Sequence, residues 1–216
     1  MKKGILILGL TSVILSAFMT GCVTIVKQGE EATLTNEVVF DAGTNVAGIW
    51  ESAALPELEG KAVDLATLLT EADGDIEALA DKYGKRAQGA GSSVSFTVKG
   101  DAKVESVFTE SAAGYMVITV EGYTGKTVLK LQTGSVFKGT AVRDSLDIIK
   151  FNDYKNQVDY AAVSTSIHDT IKETVYGNID VKTLEGKPIA FVGCFTFNNN
   201  EELIITPVVL TIKEGA

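Results

Sequence analysis

The sequence predicts an α+β fold, in which a helix-rich block precedes a β-rich region. From about residue 40 to residue 86, apolar residues recur at helical spacing. After the segment QGAGSS the period changes to an alternation of apolar and polar residues, in runs separated by turn residues. A further helical stripe and two closing apolar runs follow. These changes of period indicate helices combined with an antiparallel sheet.

The N-terminus has the features of a bacterial lipoprotein signal. Two lysines precede an uncharged apolar run over residues 4–19, and the tetrapeptide Met-Thr-Gly-Cys ends at Cys22. A transmembrane anchor is the alternative, since the run approaches the roughly 20 residues that span a bilayer. The lipobox-like tetrapeptide favours a signal peptide over residues 1–21, a lipid on Cys22 and a polar tether over residues 22–36. We therefore expect an extracytoplasmic chain that is lipid-anchored to a membrane, periplasmic where there are two membranes.

Charge and cysteine content limit the partners and the chemistry. Removal of Lys2 and Lys3 leaves 17 of the 19 basic residues against 28 acidic ones, so the formal charge falls from −9 to −11. Such a surface repels phosphate backbones and disfavours nucleic acid as a partner. Cys194 is then the remaining thiol, so no intramolecular disulfide is expected. Its apolar neighbours indicate an inert, buried thiol.

A helical subdomain is predicted over residues 37–90. The runs DLATLLTEA and DIEALADKYG each place apolar residues on one face, behind Asp64 and Asp75 as capping residues. Pro56 suits the first turn of a shorter helix that Gly60 would end. Each apolar stripe is narrow, so the helices must pack on one another or on a sheet. Trp50 is expected to seal that packing, and an exposed tryptophan that stacks on a sugar is the alternative.

A β-domain is predicted over residues 91–216. Four runs, SVSFTVKG, DAKVESVFTE, GYMVITVEG and KTVLKLQTG, predict an antiparallel meander with one core face and one solvated face. A helix over about residues 158–177 follows. The last two runs, KPIAFVGCFTF and ELIITPVVLTIKE, predict a hairpin with Pro207 at an edge or a bulge. This order is compatible with an OB-like antiparallel β-barrel that carries the helical subdomain.

No recognisable catalytic or metal-binding motif is present in the sequence. GYTGKT lacks the first glycine and the following helix of a phosphate-binding loop, so it is interpreted as a hairpin turn. His168, the only histidine, has no ligand partner three or four residues later and is expected on the exposed helix surface. Paired carboxylates lack the apolar setting of a general acid. We expect no enzyme, no cofactor and no metal.

One stretch, GTAVRDSLDIIKFNDYKNQV over residues 139–158, concentrates polar side chains. Its six candidate residues, for either a ligand site or a structural polar cluster, are Arg143, Asp144, Asn152, Asp153, Asn156 and Gln157. The guanidinium of Arg143 can bind a carboxylate with two parallel hydrogen bonds. The stretch joins the meander to the long helix, which favours a structural latch. An enzyme acting on envelope glycan or a sugar would instead need Arg143, Asp144 and Asp153 in an open pocket.

The same stretch carries a family resemblance. Together with IWESAALPELEGKAVDL, LEGKPIAFVGCFTF and IITPVVLTI, it resembles the family of predicted bacterial periplasmic lipoproteins called domain of unknown function 2291. The sequence departs from the family's usual Gly-Pro at Gly134 and Ser135. The resemblance implies an OB-like barrel joined to a small helical domain and genes that often lie beside ATP-driven sugar importers. A binding or accessory role with an ABC-type sugar transporter or its binding protein is expected; a sugar-acting enzyme and a structural spacer are the alternatives.

Overall fold

The computed structural model describes residues 40–87 and 93–213. From Asp41 onward the chain forms one compact unit. The predicted signal peptide, the lipidation site Cys22 and the tether lie outside the described residues. Among the helices of the described ranges, none has the length and apolar content needed to cross a bilayer.

A nearly continuous helix opens the described chain. Helix α1 (Ala42–Ile49) passes through a π-helical turn (Trp50–Ala54) into α2 (Leu55–Lys61). The Asp41 carboxylate caps α1 by accepting a hydrogen bond from the Thr44 amide at 2.5 Å. Trp50 is 2% exposed, so its predicted packing role is confirmed and the sugar-stacking alternative is wrong.

Short helices and two short strands follow. The elements are β1 (Val63–Asp64), α3 (Leu65–Ala72), a 3-10 turn (Ile76–Leu79), α4 (Ala80–Tyr83) and β2 (Gly84–Arg86). The predicted caps are confirmed: Asp64 accepts from the Thr67 amide at 2.7 Å and Asp75 from the Ala78 amide at 3.3 Å. The sequence did not predict β1 and β2, because two or three residues carry no periodicity. Both pair with the long strand that follows β2, which is β3 (Val94–Phe108): β1 pairs with it in parallel and β2 antiparallel.

Five longer strands close into a ring. They are β3 (Val94–Phe108), β4 (Tyr115–Val120), β5 (Val128–Gln132), β6 (Pro188–Thr196) and β7 (Glu202–Ile212). β3, β4 and β5 pair antiparallel in succession, β5 pairs with β7 in parallel, and β6 pairs antiparallel with both β7 and β3. The closing hairpin is confirmed, and Pro207 lies beside a register shift between Val192 and Gly193.

One predicted turn is wrong. Gly100 and Asp101 were expected to separate two strands, whereas β3 runs without interruption through both residues. They are opposite Phe191 and Ala190 of β6, so long-range pairing extends the strand through residues that locally favour a turn. The predicted turn between β4 and β5 is confirmed, with Gly122 at a φ of 85°.

An apolar core joins the sheet to the short helices. The inner face of the ring contributes residues such as Phe96, Met116 and Phe195, and α3 contributes Leu65 and Leu68. Each of these five side chains is fully buried. Residues on both sides of the predicted boundary at 90/91 therefore contribute to one core.

The chain between β5 and β6 is largely helical. It contains α5 (Ala141–Ser145), a 3-10 turn (Phe151–Asp153), α6 (Gln157–Thr174) and a second 3-10 turn (Val181–Leu184). α6 confirms the predicted long helix and packs against α1, while α5 packs against β3 and β6. Cys194 in β6 is fully buried, as predicted, and burial raises the pKa of its thiol to about 11. Its lack of reactivity stays a prediction.

Candidate functional site

Arg143 and Asp144 form a buried ion pair on α5. The Arg143 Nε and Nη2 atoms donate to the same Asp144 Oδ1 atom at 2.9 and 2.7 Å. The two side chains are only 11% and 8% exposed. The Thr140 hydroxyl donates to the second carboxylate oxygen at 2.5 Å. Both oxygens of this carboxylate are therefore held by residues of the same short segment.

Tyr160 connects this pair to α6. Arg143 Nη1 donates to the Tyr160 carbonyl oxygen at 3.3 Å, and the guanidinium carbon lies 3.8 Å from the centre of the Tyr160 ring. The Tyr160 hydroxyl donates to Asp144 Oδ1 at 3.4 Å. The rings of Phe151 and Tyr154 pack on Tyr160 at 5.3 and 5.5 Å, and burial raises the pKa of the Tyr160 hydroxyl. We call Thr140, Arg143, Asp144 and Tyr160 the α5–α6 latch.

The other four predicted site residues lie at the surface. Asn152 and Asp153 are exposed in the 3-10 turn, and Gln157 is exposed at the first position of α6. Asn156 is the N-cap of α6, where its side chain accepts hydrogen bonds from the Val158 and Asp159 amides at 2.8 and 2.9 Å. The structure thus joins two of the six candidates in the latch and gives Asn156 a separate capping role.

Sequence reasoning missed the part that Tyr160 takes in this cluster. Tyr160 lies 17 residues after Arg143, within the predicted helix over about residues 158–177, and was not among the six candidates. An aromatic residue near the start of a predicted helix was the available signal, but spacing alone does not place its ring over a guanidinium. Tyr160 and Arg143 meet because α5 and α6 pack together.

His168 does not lie on the exposed helix surface, so that prediction is wrong. The ring is partly buried and lies edge-on to Phe137, with ring centres 5.6 Å apart. Burial lowers the pKa of His168 below its usual value of 6.5. Within residues 40–87 and 93–213, no three histidine, cysteine or carboxylate side chains converge in a way that could hold a metal ion.

A different set of side chains forms an open face on the outside of the ring. Met116, Ile118, Leu129 and Leu131 point into the core. Because side chains alternate along a strand, the intervening residues of β4 and β5 point outward. Tyr115 and Lys130 are partly exposed at such positions, and Ile204 of the neighbouring β7 is 38% exposed.

Aromatic and charged groups meet on this outer surface. Phe108, which is opposite Tyr115 in the ladder, stacks on the tyrosine ring at 4.8 Å and is 44% exposed. The Lys130 ammonium lies 4.5 Å from the Tyr115 ring centre and forms an ion pair with Glu202. We call Phe108, Tyr115, Lys130, Glu202 and Ile204 the aromatic face. Because Phe108 and Lys130 cover the two faces of the Tyr115 ring, the exposed Phe108 ring supplies the stacking surface, beside a donor and an acceptor.

The aromatic face borders a cavity with a rigid rim. The cavity holds about 240 Å³ and is lined in part by Ser111, Lys138 and Gln132. Gln132 is 4% exposed and exchanges two hydrogen bonds with the backbone of Lys138, at 2.7 and 3.0 Å. The backbones of the two rim loops also bond, and a Cβ atom on Gly134 would lie 2.1 Å from the Ala112 carbonyl oxygen. Only glycine permits this close approach of the loops.

The aromatic face lies where OB folds bind their ligands. β3, β4 and β5 are the first three strands of the ring in chain order. In OB folds, ligands bind on the face of the second and third strands and on the adjoining loops. Tyr115 and Lys130 lie on those strands, and the cavity lies beside the first of those loops. The aromatic face is therefore the candidate binding surface of this chain.

Comparison with known proteins agrees with these observations. The crystal structure of an OB-fold protein from Thermotoga maritima is similar, with a TM-score of 0.61, 17% sequence identity, and coverage of 81% of this chain and 99% of that chain. This likeness confirms the predicted α+β, OB-like fold. No curated protein matches the chain.

The family comparison covers most of the sequence. A family model described as "Predicted periplasmic lipoprotein (DUF2291)" matches residues 12–211, a range that includes Cys22. This match confirms the resemblance and the expected location in the cell envelope. The signal peptide, the lipid on Cys22 and the sugar-transport association stay predictions. The chain belongs to the family of predicted periplasmic lipoproteins, domain of unknown function 2291.

Proposed function

We propose that this chain is a lipid-anchored binding module that holds an envelope carbohydrate on its aromatic face and acts as an accessory to ABC-type sugar uptake. The observation that carries the proposal is the stacked pair of Phe108 and Tyr115 beside the Lys130–Glu202 ion pair. The flat C–H surfaces of a sugar ring pack on aromatic faces, while its hydroxyl groups need donors and acceptors. The aromatic face supplies all three at the usual ligand surface of the fold.

The negative charge of the chain favours a carbohydrate ligand over an oligonucleotide, the other common ligand of OB folds. OB folds bind oligonucleotides and oligosaccharides on this surface. A formal charge of −9 for the full chain opposes a polyanion, whereas a neutral glycan carries no such penalty. Glu202 also neutralises the charge of Lys130, so this ion pair gives the aromatic face no net positive charge to attract a polyanion.

Binding without catalysis is the proposed activity. Three carboxylates, Asp41, Glu71 and Asp147, have a pKa lowered by hydrogen bonds to neighbouring donors. A glycosidase general acid needs the opposite shift, so these three carboxylates do not fit that role. Of the three candidates for a sugar-acting enzyme, Arg143 and Asp144 bind each other in the latch, and Asp153 is exposed in the 3-10 turn. These features favour a binding module over the alternative enzyme.

The test for carbohydrate binding uses the full-length lipoprotein in a detergent without a sugar headgroup. Binding of defined oligosaccharides, such as maltohexaose and chitohexaose, is measured by calorimetry for the wild type and for Phe108→Ala and Tyr115→Ala. We expect the variants to lose affinity at least tenfold, while Ile148→Ala, an exposed apolar control, keeps it. Absence of saturable binding to a broad glycan array would remove the basis of the proposal.

The transport association has its own experiment. Affinity capture of the lipoprotein from crosslinked membranes should enrich a permease subunit or a substrate-binding protein of an ABC-type sugar importer. Capture with Tyr115→Ala tells whether the aromatic face contributes to this contact. If repeated captures contain no transporter component, the association is wrong even where carbohydrate binding holds.

A further inference from the structure

A second polar cavity lies where α2, β2 and the end of α5 meet the outward side of β3. It holds about 230 Å³, and six polar residues line it: Lys61, Lys85, Ser95, Thr97, Ser145 and Asp147. This volume equals that of about eight water molecules at their liquid density, which suits a small dissolved molecule. None of the six belongs to the aromatic face or to the α5–α6 latch.

A carboxylate from the rim lies between two ammonium groups in this cavity. Lys85 Nζ donates to Asp147 Oδ1 at 2.8 Å, and Lys61 Nζ lies 3.7 Å from Asp147 Oδ2. The Lys61 side chain is 30% exposed and the Lys85 side chain 27% exposed, whereas the Asp147 side chain is 72% exposed. The most exposed member of the cluster therefore contributes the anion, and the more buried members contribute the cations.

The backbone of Asp147 is fixed independently of its side chain. Glu57 Oε1 accepts a hydrogen bond from the Asp147 amide at 2.6 Å and also pairs with Lys61 at 2.5 Å. The lysines further donate to the carbonyl oxygens of Ser145 and Leu146. Rotation of the exposed carboxylate into solvent would leave this framework in place, with two ammonium groups against the single carboxylate of Glu57.

The Ser145 hydroxyl is buried behind the cavity wall, on the side of the Cys194 thiol. Ser145 is 1% exposed, and among the described residues its Oγ atom has no hydrogen-bond partner of acceptable geometry. The hydroxyl does lie close enough to the Cys194 thiol to oppose the stronger effect of burial on the pKa of that thiol. Because this oxygen is buried beside Cys194, it lies out of reach of a ligand in the cavity, and the two ammonium groups are the groups that such a ligand would contact.

We propose that this cavity binds a small dissolved oxyanion, with a carboxylate or phosphate group between Lys61 and Lys85, and that Asp147 occupies the anion position when the ligand is absent. The ligand would displace the Asp147 carboxylate and bind both ammonium groups. Asp147 then competes with the ligand, since only the fraction of molecules with this carboxylate displaced can bind. This site is independent of the proposed carbohydrate binding.

The proposal predicts opposite effects for two substitutions. Lys85→Met removes one ammonium group and should weaken anion binding about tenfold or more. Asp147→Ala removes the competing carboxylate and should strengthen binding at least about threefold. Lys172 and Asp169 form an ion pair at 2.7 Å on α6 and provide matched controls. Lys172→Met and Asp169→Ala change the net charge equally and should leave the affinity within about twofold.

The experiment is a titration of the full-length lipoprotein with inorganic phosphate and with succinate, in a chloride buffer free of other oxyanions. Calorimetry gives the affinity, and circular dichroism verifies that each variant is folded. Saturable binding with opposite changes in Lys85→Met and Asp147→Ala supports the proposal. Absence of binding in both the wild type and Asp147→Ala overturns it, as does an equal effect of the control substitutions. If Lys85→Met does not fold, the comparison of Asp147→Ala with Asp169→Ala decides.

Discussion

Replacing Arg143 with methionine separates a structural latch from a ligand site. The substitution keeps a long side chain of similar volume but removes the guanidinium group that Asp144 contacts at 2.7 and 2.9 Å. Asp144, 8% exposed, would keep the hydroxyl groups of Thr140 and Tyr160 as its side-chain partners among the described residues. A buried carboxylate without its cation is strongly unfavourable.

The expected loss is large for a single substitution. Breaking a buried ion pair by removing one partner costs about 3–5 kcal/mol, and loss of the contact with the Tyr160 ring adds to it. Because the Asp144 carboxylate keeps two hydroxyl partners, we expect the lower end, about 3 kcal/mol. The double variant Arg143→Met/Asp144→Leu should recover part of this loss, since it leaves no unpaired charge.

Urea unfolding at pH 7, followed by circular dichroism, measures the free energy of unfolding. Arg86→Met is the matched control, because Arg86 pairs with Asp81 at 3.3 Å while both side chains are at least 50% exposed. That control should change stability by less than about 0.5 kcal/mol. A loss below about 1 kcal/mol for Arg143→Met would refute the latch, and loss of ligand binding without loss of stability would assign Arg143 to a site.

Three further predictions test the local environments. Cys194 should be unreactive toward Ellman's reagent at pH 8 in the folded protein and fully reactive in urea, because burial raises its thiol pKa to about 11; reaction at native conditions would contradict this. Asn156→Ala should reduce the free energy of unfolding by about 1 kcal/mol through loss of the α6 cap, while Gln157→Ala, an exposed neighbour, should have almost no effect. His168 has a pKa below 6.5 in the folded chain, so its protonation favours unfolding. The neutral ring therefore contributes to the free energy of unfolding above pH 6.5, and this contribution is lost as the pH falls. Urea unfolding at pH 7.5 and pH 5 should therefore show a smaller acid-induced loss for His168→Gln than for the wild type, and equal losses would contradict the assignment.

The aromatic face shows why sequence reasoning missed a candidate site. Phe108 and Tyr115 lie in successive strands, and each was interpreted only as a strand residue. Lys130 and Glu202 are 72 residues apart and meet because β5 and β7 pair in parallel. Local patterns do not specify such pairings, so the surface could not be assembled from periodicity.

In the polar stretch over residues 139–158, the sequence indicated a larger cluster than the structure contains. Its density of polar side chains was evident from the sequence, and a latch was the favoured interpretation. The structure places Arg143 and Asp144 in that latch, with Tyr160 as the partner from α6. Asn152, Asp153 and Gln157 are exposed, because the 3-10 turn and the start of α6 direct them away from the packed side. Proximity in sequence therefore overestimated the size of the cluster.

Features that depend on neighbouring residues could be predicted from the sequence alone. Helix caps at Asp64 and Asp75, the long helix, the closing hairpin and the buried character of Cys194 follow from short-range hydrogen bonding and apolar periodicity. Only the tertiary structure decided which strands close the ring, that β3 continues through Gly100, and which side chains meet at Tyr115, Arg143 and Lys85. These outcomes depend on contacts between residues far apart in the chain, whose free energy appears only when the sheet and helices pack together.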